Sequence, residues 1–269
     1  MRNRYDEVFQ RLKHNNELAF VPFVTLGDPN YETSLHIIQA LIDEGCDALE
    51  LGIPFSDPLA DGPVIQQANL RALKHHVNTQ QCFHIIESIR ALNPNIAIGL
   101  LVYANLVFKT GLDQFYQMAK SSGVDSILVA DVPIHEAEPY LNSANKHHIA
   151  PVFMIPPNID FTSLEKIASQ QCAYFYLMSR PGVTGAELAA TMPKQEFIEK
   201  IKSITTTPLL LGFGVSTPTQ ILEAKQAQLD GVISGSSVIK YIDVFQSKAE
   251  IIESISYYVR QMKQATRQN

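Results

Sequence analysis

Phe20-Val-Pro-Phe-Val24, then Gly27-Asp-Pro-Asn30, then a segment from Tyr31 with apolar Leu35, Ile37, Ile38, Leu41 and Ile42, decides the fold. The first run, bounded by turn residues, reads as a strand; the Gly/Asp/Pro cluster reads as a turn; the three- and four-residue spacing that follows reads as an amphipathic helix. Seven further runs fit the same unit: Ala48–Leu51, Ile96–Val102, Ser126–Val129, Pro151–Ile155, Ala173–Met178, Leu209–Leu211 and Gly231–Ser234. Most are continuously apolar, as parallel strands buried on both faces must be, and each is followed by enough chain for a crossover helix. Eight such units predict a single (βα)8 TIM barrel over residues 1–269. An open dinucleotide-binding sheet is disfavoured, because the nearest glycine fingerprint, Gly212-Phe-Gly-Val-Ser-Thr217, lies late and lacks its third glycine.

Composition agrees with that class. The chain has 269 residues, 46% hydrophobic and 18% charged, and no apolar run approaches the roughly 18 residues of a membrane span. The charged amino terminus has no apolar segment leading to a cleavage site, so a cytoplasmic location is expected. A net charge of −6 opposes a nucleic-acid-binding surface while leaving room for one local phosphate pocket. Cys46, Cys82 and Cys172 are odd in number and unpaired in spacing, so they read as small buried apolar residues rather than disulfide or zinc ligands.

Barrel active sites lie at the carboxyl ends of the strands. After the second run, Glu50-Leu-Gly-Ile-Pro-Phe-Ser-Asp-Pro-Leu-Ala-Asp61 places two carboxylates at one mouth. Glu50, between Leu49 and Leu51, should lose hydration and have its pKa raised toward the range useful for proton transfer, whereas Asp61, on a loop, should more readily stay an anion. The residues alone leave open a structural carboxylate at Glu50 and a loop cap at Asp61. Asp57 and Asp131 are equally open to turn or partner-facing roles.

A second constellation is rich in glycine. Val183-Thr-Gly185, Gly212-Phe-Gly214 and Gly235-Ser236 follow the sixth, seventh and eighth runs. Backbone N–H groups in such loops and at a helix start can hold phosphate without lysine or arginine. No lysine falls at a strand end, no histidine cluster has ligand spacing, and the pairs His75-His76 and His147-His148 read as surface positions. No metal site is expected. Aldol-type chemistry here would need a substrate that carries its own electron sink.

Phe20-Val-Pro-Phe-Val-Thr-Leu-Gly-Asp-Pro29, Leu49 through Pro63, Gly99-Leu-Leu-Val-Tyr-Ala-Asn105, Val129-Ala-Asp-Val-Pro133 and Ser179-Arg-Pro-Gly-Val-Thr-Gly185 resemble the tryptophan synthase alpha subunit family. The resemblance implies retro-aldol cleavage of indole-3-glycerol phosphate to indole and glyceraldehyde 3-phosphate in tryptophan biosynthesis. It implies no cofactor in this subunit, a beta-subunit partner that carries pyridoxal phosphate, and an alpha2-beta2 heterotetramer. It implies Glu50 as the acid–base residue, Asp61 at the indole N–H, and Tyr176 beside the substrate. Phe23, Leu101, Leu128 and Phe213 match positions in or near the indole pocket, and Gly185, Gly214, Gly235 and Ser236 match the phosphate site. Arg180–Glu187 is expected to be a lid that brings Thr184 near Asp61, with Pro181 a departure at its hinge, and the Pro54–Pro58 loop and Asp131–Ile134 are expected to face the partner. Another phosphate-binding barrel, or a catalytically idle barrel that activates a beta subunit, are the rival readings.

Overall fold

The structure is a computed structural model that describes residues 3–179, 182, 192–244 and 247–268. In chain order its elements are α1 (Arg4–Asn15), β1 (Ala19–Thr25), α2 (Tyr31–Asp43), β2 (Ala48–Gly52), α3 (Pro63–Lys74), α4 (Thr79–Leu92), β3 (Ala97–Val102), α5 (Ala104–Thr110), α6 (Leu112–Ser122), β4 (Ser126–Val129) and α7 (Glu138–His147). There follow β5 (Ala150–Pro151), β6 (Phe153–Ile155), α8 (Phe161–Ala168), β7 (Phe175–Met178), α9 (Gln195–Ile204), β8 (Leu209–Gly212), α10 (Pro218–Gln226), β9 (Gly231–Ser234), α11 (Ser236–Val244) and α12 (Lys248–Thr266). All strand pairings are parallel, in the order β5-β4-β3-β2-β1-β9-β8-β7-β6.

The nine segments make eight barrel positions. The run expected as one strand over Pro151–Ile155 is divided at Val152, and its two pieces, β5 and β6, pair with β4 on one side and β7 on the other. Pro151 has no N–H to give a ladder, so this strand cannot bond continuously on both sides. The expected TIM barrel is therefore the observed architecture.

Alternation along each strand sorts side chains into two packed layers. Phe20, Leu49, Leu51, Ile98, Leu100, Phe175, Leu177, Leu209, Leu211 and Val232 join the helices in the outer core. Ala19, Val21, Phe23, Ala48, Ala97, Leu128, Tyr174, Tyr176, Leu210 and Ile233 fill the barrel interior. Glu50 falls between the outward Leu49 and Leu51, level with Phe23 on β1 and Gly99 on β3, so the strand period directs its carboxyl inward.

The eight-unit reading assigns nothing before Phe20, yet α1 closes the amino-terminal face of the barrel. Its Asn3 cap bonds the backbone of Tyr5 and Asp6, and Tyr5, Val8 and Leu12 are buried. Tyr5 enters the interior and meets Tyr174 at 5.5 Å between ring centroids. A Cβ at Gly99 would stand 2.8 Å from both the Tyr5 and Ser126 hydroxyls, so glycine there makes room for the plug. Cys46 and Cys82 are buried and Cys172 partly so. No helix among the described residues is long and apolar enough to cross a membrane.

Candidate active site

At the carboxyl ends of the strands lies a narrow cleft. Its walls include Phe23, Ile65, Leu101, Tyr176, Phe213, Val215 and Ile233; Glu50 and Asp61 reach into it, and Gly214, Gly235, Ser236 and Ser237 line it as well. A wider recess opens elsewhere, between α1 and the loops that enter β4 and β5, but it is polar and none of the strand-end loops contributes to it.

Glu50 is 2% exposed. The Tyr174 hydroxyl donates to its Oε1 at 3.1 Å. Burial raises its pKa from 4.5 to about 8; the Tyr174 bond opposes this and the Asp61 charge adds to it. The expectation for Glu50 is met, and its main cause is desolvation.

Asp61, expected from its loop position to stay the more readily ionised of the two acids, is itself buried. It is 4% exposed, because the loop from Ile53 folds back over the barrel mouth before α3 begins at Pro63. Burial raises its pKa to about 6, while hydrogen bonds from Tyr103 and Asn69 oppose the rise. The order of the two acids survives the correction. At neutral pH Glu50 is mainly protonated and Asp61 mainly ionised, so the cleft presents one proton donor and one fixed anion.

The groups that hold Asp61 come from other elements. Asn69 on α3 donates to Asp61 Oδ2 at 3.5 Å and accepts from the Phe55 N–H at 3.3 Å. Tyr103, ending the loop after β3, accepts from the Ala60 N–H at 3.1 Å and stacks on Phe55 at 5.3 Å. No local pattern announces these two residues. Tyr174 was more accessible to sequence reading: it precedes Tyr176 by two positions in one apolar run, so both must face the interior.

Three of the four phosphate-binding candidates, Gly214, Gly235 and Ser236, also meet at this cleft. Phe213 adopts φ 67°, an uncommon conformation for a bulky residue, and this sets its ring against Tyr176 at 5.8 Å and 71°. Gly214 follows at φ 77°. Gly235 and Ser236 open α11, where the first N–H groups of a helix have no intrahelical acceptor. Ile65, Val215, Ile233 and Ser237 line the cleft without having been singled out from sequence.

Leu128 packs in the interior beside its register partner Leu101 but does not line the cleft. Thr184 and Gly185, and the Arg180–Glu187 lid with Pro181, lie outside the described residues, Gly182 excepted. Asp131 accepts from the Ala104 N–H at 2.7 Å and so caps α5, while Asp57 bonds Ser56 within its own loop. Both remain exposed at the barrel's mouth. The expected surface positions hold for His75, His76 and His148, whereas His147 is partly sheltered and lies 2.7 Å from Asp113. Among the described residues, no group of three or more His, Cys, Asp or Glu is placed to hold a metal ion.

Known proteins are similar to this chain over nearly its whole length. Tryptophan synthase alpha chains from Escherichia fergusonii and Shewanella oneidensis are 52% and 50% identical over 265 residues, which is 98% of this chain and 99% and 95% of theirs. The solved tryptophan synthase of Mycobacterium tuberculosis superposes with a TM-score of 0.90 at 25% identity over 100% of both chains. The tryptophan synthase alpha chain of Legionella pneumophila gives 0.88 at 29% identity over 99% of this chain and 98% of that one. With the family model for the tryptophan synthase alpha chain matching residues 9–267, this chain belongs to the tryptophan synthase alpha chain family.

Proposed function

We propose that this barrel is a carbon–carbon lyase that cleaves indole-3-glycerol phosphate to indole and glyceraldehyde 3-phosphate, with Glu50 and Asp61 dividing the proton chemistry. The observation that carries the assignment of roles is the pair of unequal carboxyls on one aromatic-walled cleft, one raised to about 8 and the other to about 6. Indole is flat and apolar and suits the walls formed by Phe23, Leu101, Tyr176 and Phe213. Gly214, Gly235 and Ser236 offer backbone donors for the phosphate, with Gly185 as a further candidate from sequence.

Protonated Glu50 gives its proton to the indole 3-carbon, and the ring becomes an iminium whose positive nitrogen is stabilised by the Asp61 carboxylate. The resulting Glu50 carboxylate then takes the proton of the side-chain hydroxyl next to that carbon. The carbon–carbon bond breaks, its electrons restore the aromatic ring, and the hydroxyl carbon becomes the aldehyde. The indole ring is thus the electron sink, and this chain's part needs no cofactor.

The partner in this reading is a beta subunit carrying pyridoxal phosphate, in an alpha2-beta2 heterotetramer in the cytoplasm. Beyond the Pro54–Pro58 loop and Asp131–Ile134, Leu59 at 79% and Phe108 at 72% exposure place large apolar side chains on segments that leave the same ends of β2 and β3. Indole release from indole-3-glycerol phosphate by the purified chain tests the lyase assignment. A chain that releases indole only from other substrates, or binds a beta subunit while remaining inert with and without it, would favour one of the two rival readings.

A further inference from the structure

The two loops of the phosphate end are fastened together from behind. Ser234, the last residue of β9, donates its only hydroxyl proton to the Val215 carbonyl at 2.8 Å. Its oxygen also lies 2.7 Å from the Tyr258 hydroxyl on α12, so the Tyr258 O–H must be the donor of that second bond. Ser237, in the first turn of α11, donates to the same Val215 carbonyl at 3.4 Å. Ser234 is 0% exposed, Ser237 9% and Tyr258 7%. The two serines therefore join the segment holding Gly214 to the segment holding Gly235 and Ser236, and a tyrosine from the carboxyl-terminal helix holds Ser234 in place.

We infer that Tyr258 is a positioning residue for phosphate recognition: its hydroxyl orients Ser234, whose bond to the Val215 carbonyl sets the spacing of the Gly214–Val215 and Gly235–Ser237 segments, and the backbone donors of these segments close on the substrate's phosphate. The inference rests on the phosphate assignment made above. Tyr258 does not line the cleft, so it acts through Ser234. A packing role would belong to its ring, which lies 5.5 Å from that of Tyr241. The positioning role belongs to the hydroxyl, which reaches Ser234, and the two can be separated by removing that one oxygen.

Tyr258→Phe keeps the ring and removes the donor. Loss of one buried hydrogen bond behind the cradle should weaken binding of glycerol 3-phosphate and inorganic phosphate about fivefold and raise KM for indole-3-glycerol phosphate to match. The kcat at saturation should stay within about twofold, because the reacting end of the cleft is untouched. Indole carries no phosphate, so its affinity should not change. Tyr241→Phe, which alters a neighbouring phenol outside the clamp, should leave phosphate affinity at the unaltered level. Circular dichroism and the urea midpoint establish that each variant is folded. Unchanged phosphate affinity in folded Tyr258→Phe, an equal loss of indole affinity, or the same loss in Tyr241→Phe overturns the inference while the lyase reading stands. If the unaltered chain binds neither phosphate compound, both fall together. Should Tyr258→Phe not fold, Ser234→Ala, which removes the same clamp from its other side, must show the phosphate-selective loss, and its absence there overturns the inference equally.

Discussion

Replacing Glu50 by Gln preserves the size and shape of a side chain that is 2% exposed and removes its titration. The carboxyl has an ordinary value of 4.5 and is raised to about 8 in the folded chain. Between those values the folded chain keeps a proton that the unfolded chain has released. The contribution of this group to stability is thus fully present below 4.5 and is lost as pH rises to about 8, by about 1.4 kcal/mol per pH unit. From pH 6 to pH 9 the loss is about 3 kcal/mol, roughly 1 M in the urea midpoint if the denaturant slope is about 3 kcal/mol/M. Glu50→Gln should abolish that portion, so the variant gains on the unaltered chain as pH rises. The assay is urea unfolding followed by circular dichroism at pH 6, 7, 8 and 9 for both proteins, with indole release measured in parallel. Turnover should fall by about 10² to 10⁴. Parallel stability curves with undiminished turnover would show that Glu50 is neither desolvated nor the proton donor.

Asp61→Asn should leave glycerol 3-phosphate binding intact and lower kcat by about 10² to 10³, as loss of one charge-stabilising group does; unchanged kcat in a steady-state indole assay removes Asp61 from that role. Arg71 bonds the buried Asp28 through Nε and Nη2 at 2.7 and 2.8 Å, joining α3 to the loop after β1. Arg71→Ala should therefore destabilise the barrel by about 3 kcal/mol and lower Tm by about 10 °C in a thermal melt, whereas a shift within 2 °C would mean that water replaces the pair at little cost. An added methyl in Gly212→Ala would overlap the Tyr176 ring, so indole affinity should fall and Tyr176 fluorescence should change; wild-type indole binding would show that the ring moves aside freely. Leu59→Asp with Phe108→Asp should weaken beta-subunit affinity at least tenfold in a titration without altering the isolated chain's turnover, and unchanged affinity would place the interface elsewhere.

Strand period and apolar runs were enough, in the sequence alone, to specify a parallel eight-unit barrel and to turn Glu50 inward between Leu49 and Leu51, because side-chain alternation is a local property of the backbone. They also located the glycine-bearing ends of the later strands. The plug formed by α1 lay outside the repeating pattern, since its burial depends on a barrel face that exists only after closure. The break at Val152 likewise comes from pairing with two different neighbours. Asp61 lies on a loop, as read, but burial in the folded barrel raises it to about 6, while hydrogen bonds from Asn69 and Tyr103, arriving from α3 and the end of β3, hold that rise down. The clamp of Ser234, Ser237 and Tyr258 is of the same kind, since its members meet only when α12 packs behind β9. Sequence determined which acids face the mouth; only tertiary structure decided how far each is desolvated and what holds it, because desolvation and hydrogen bonding are set by neighbours remote along the chain.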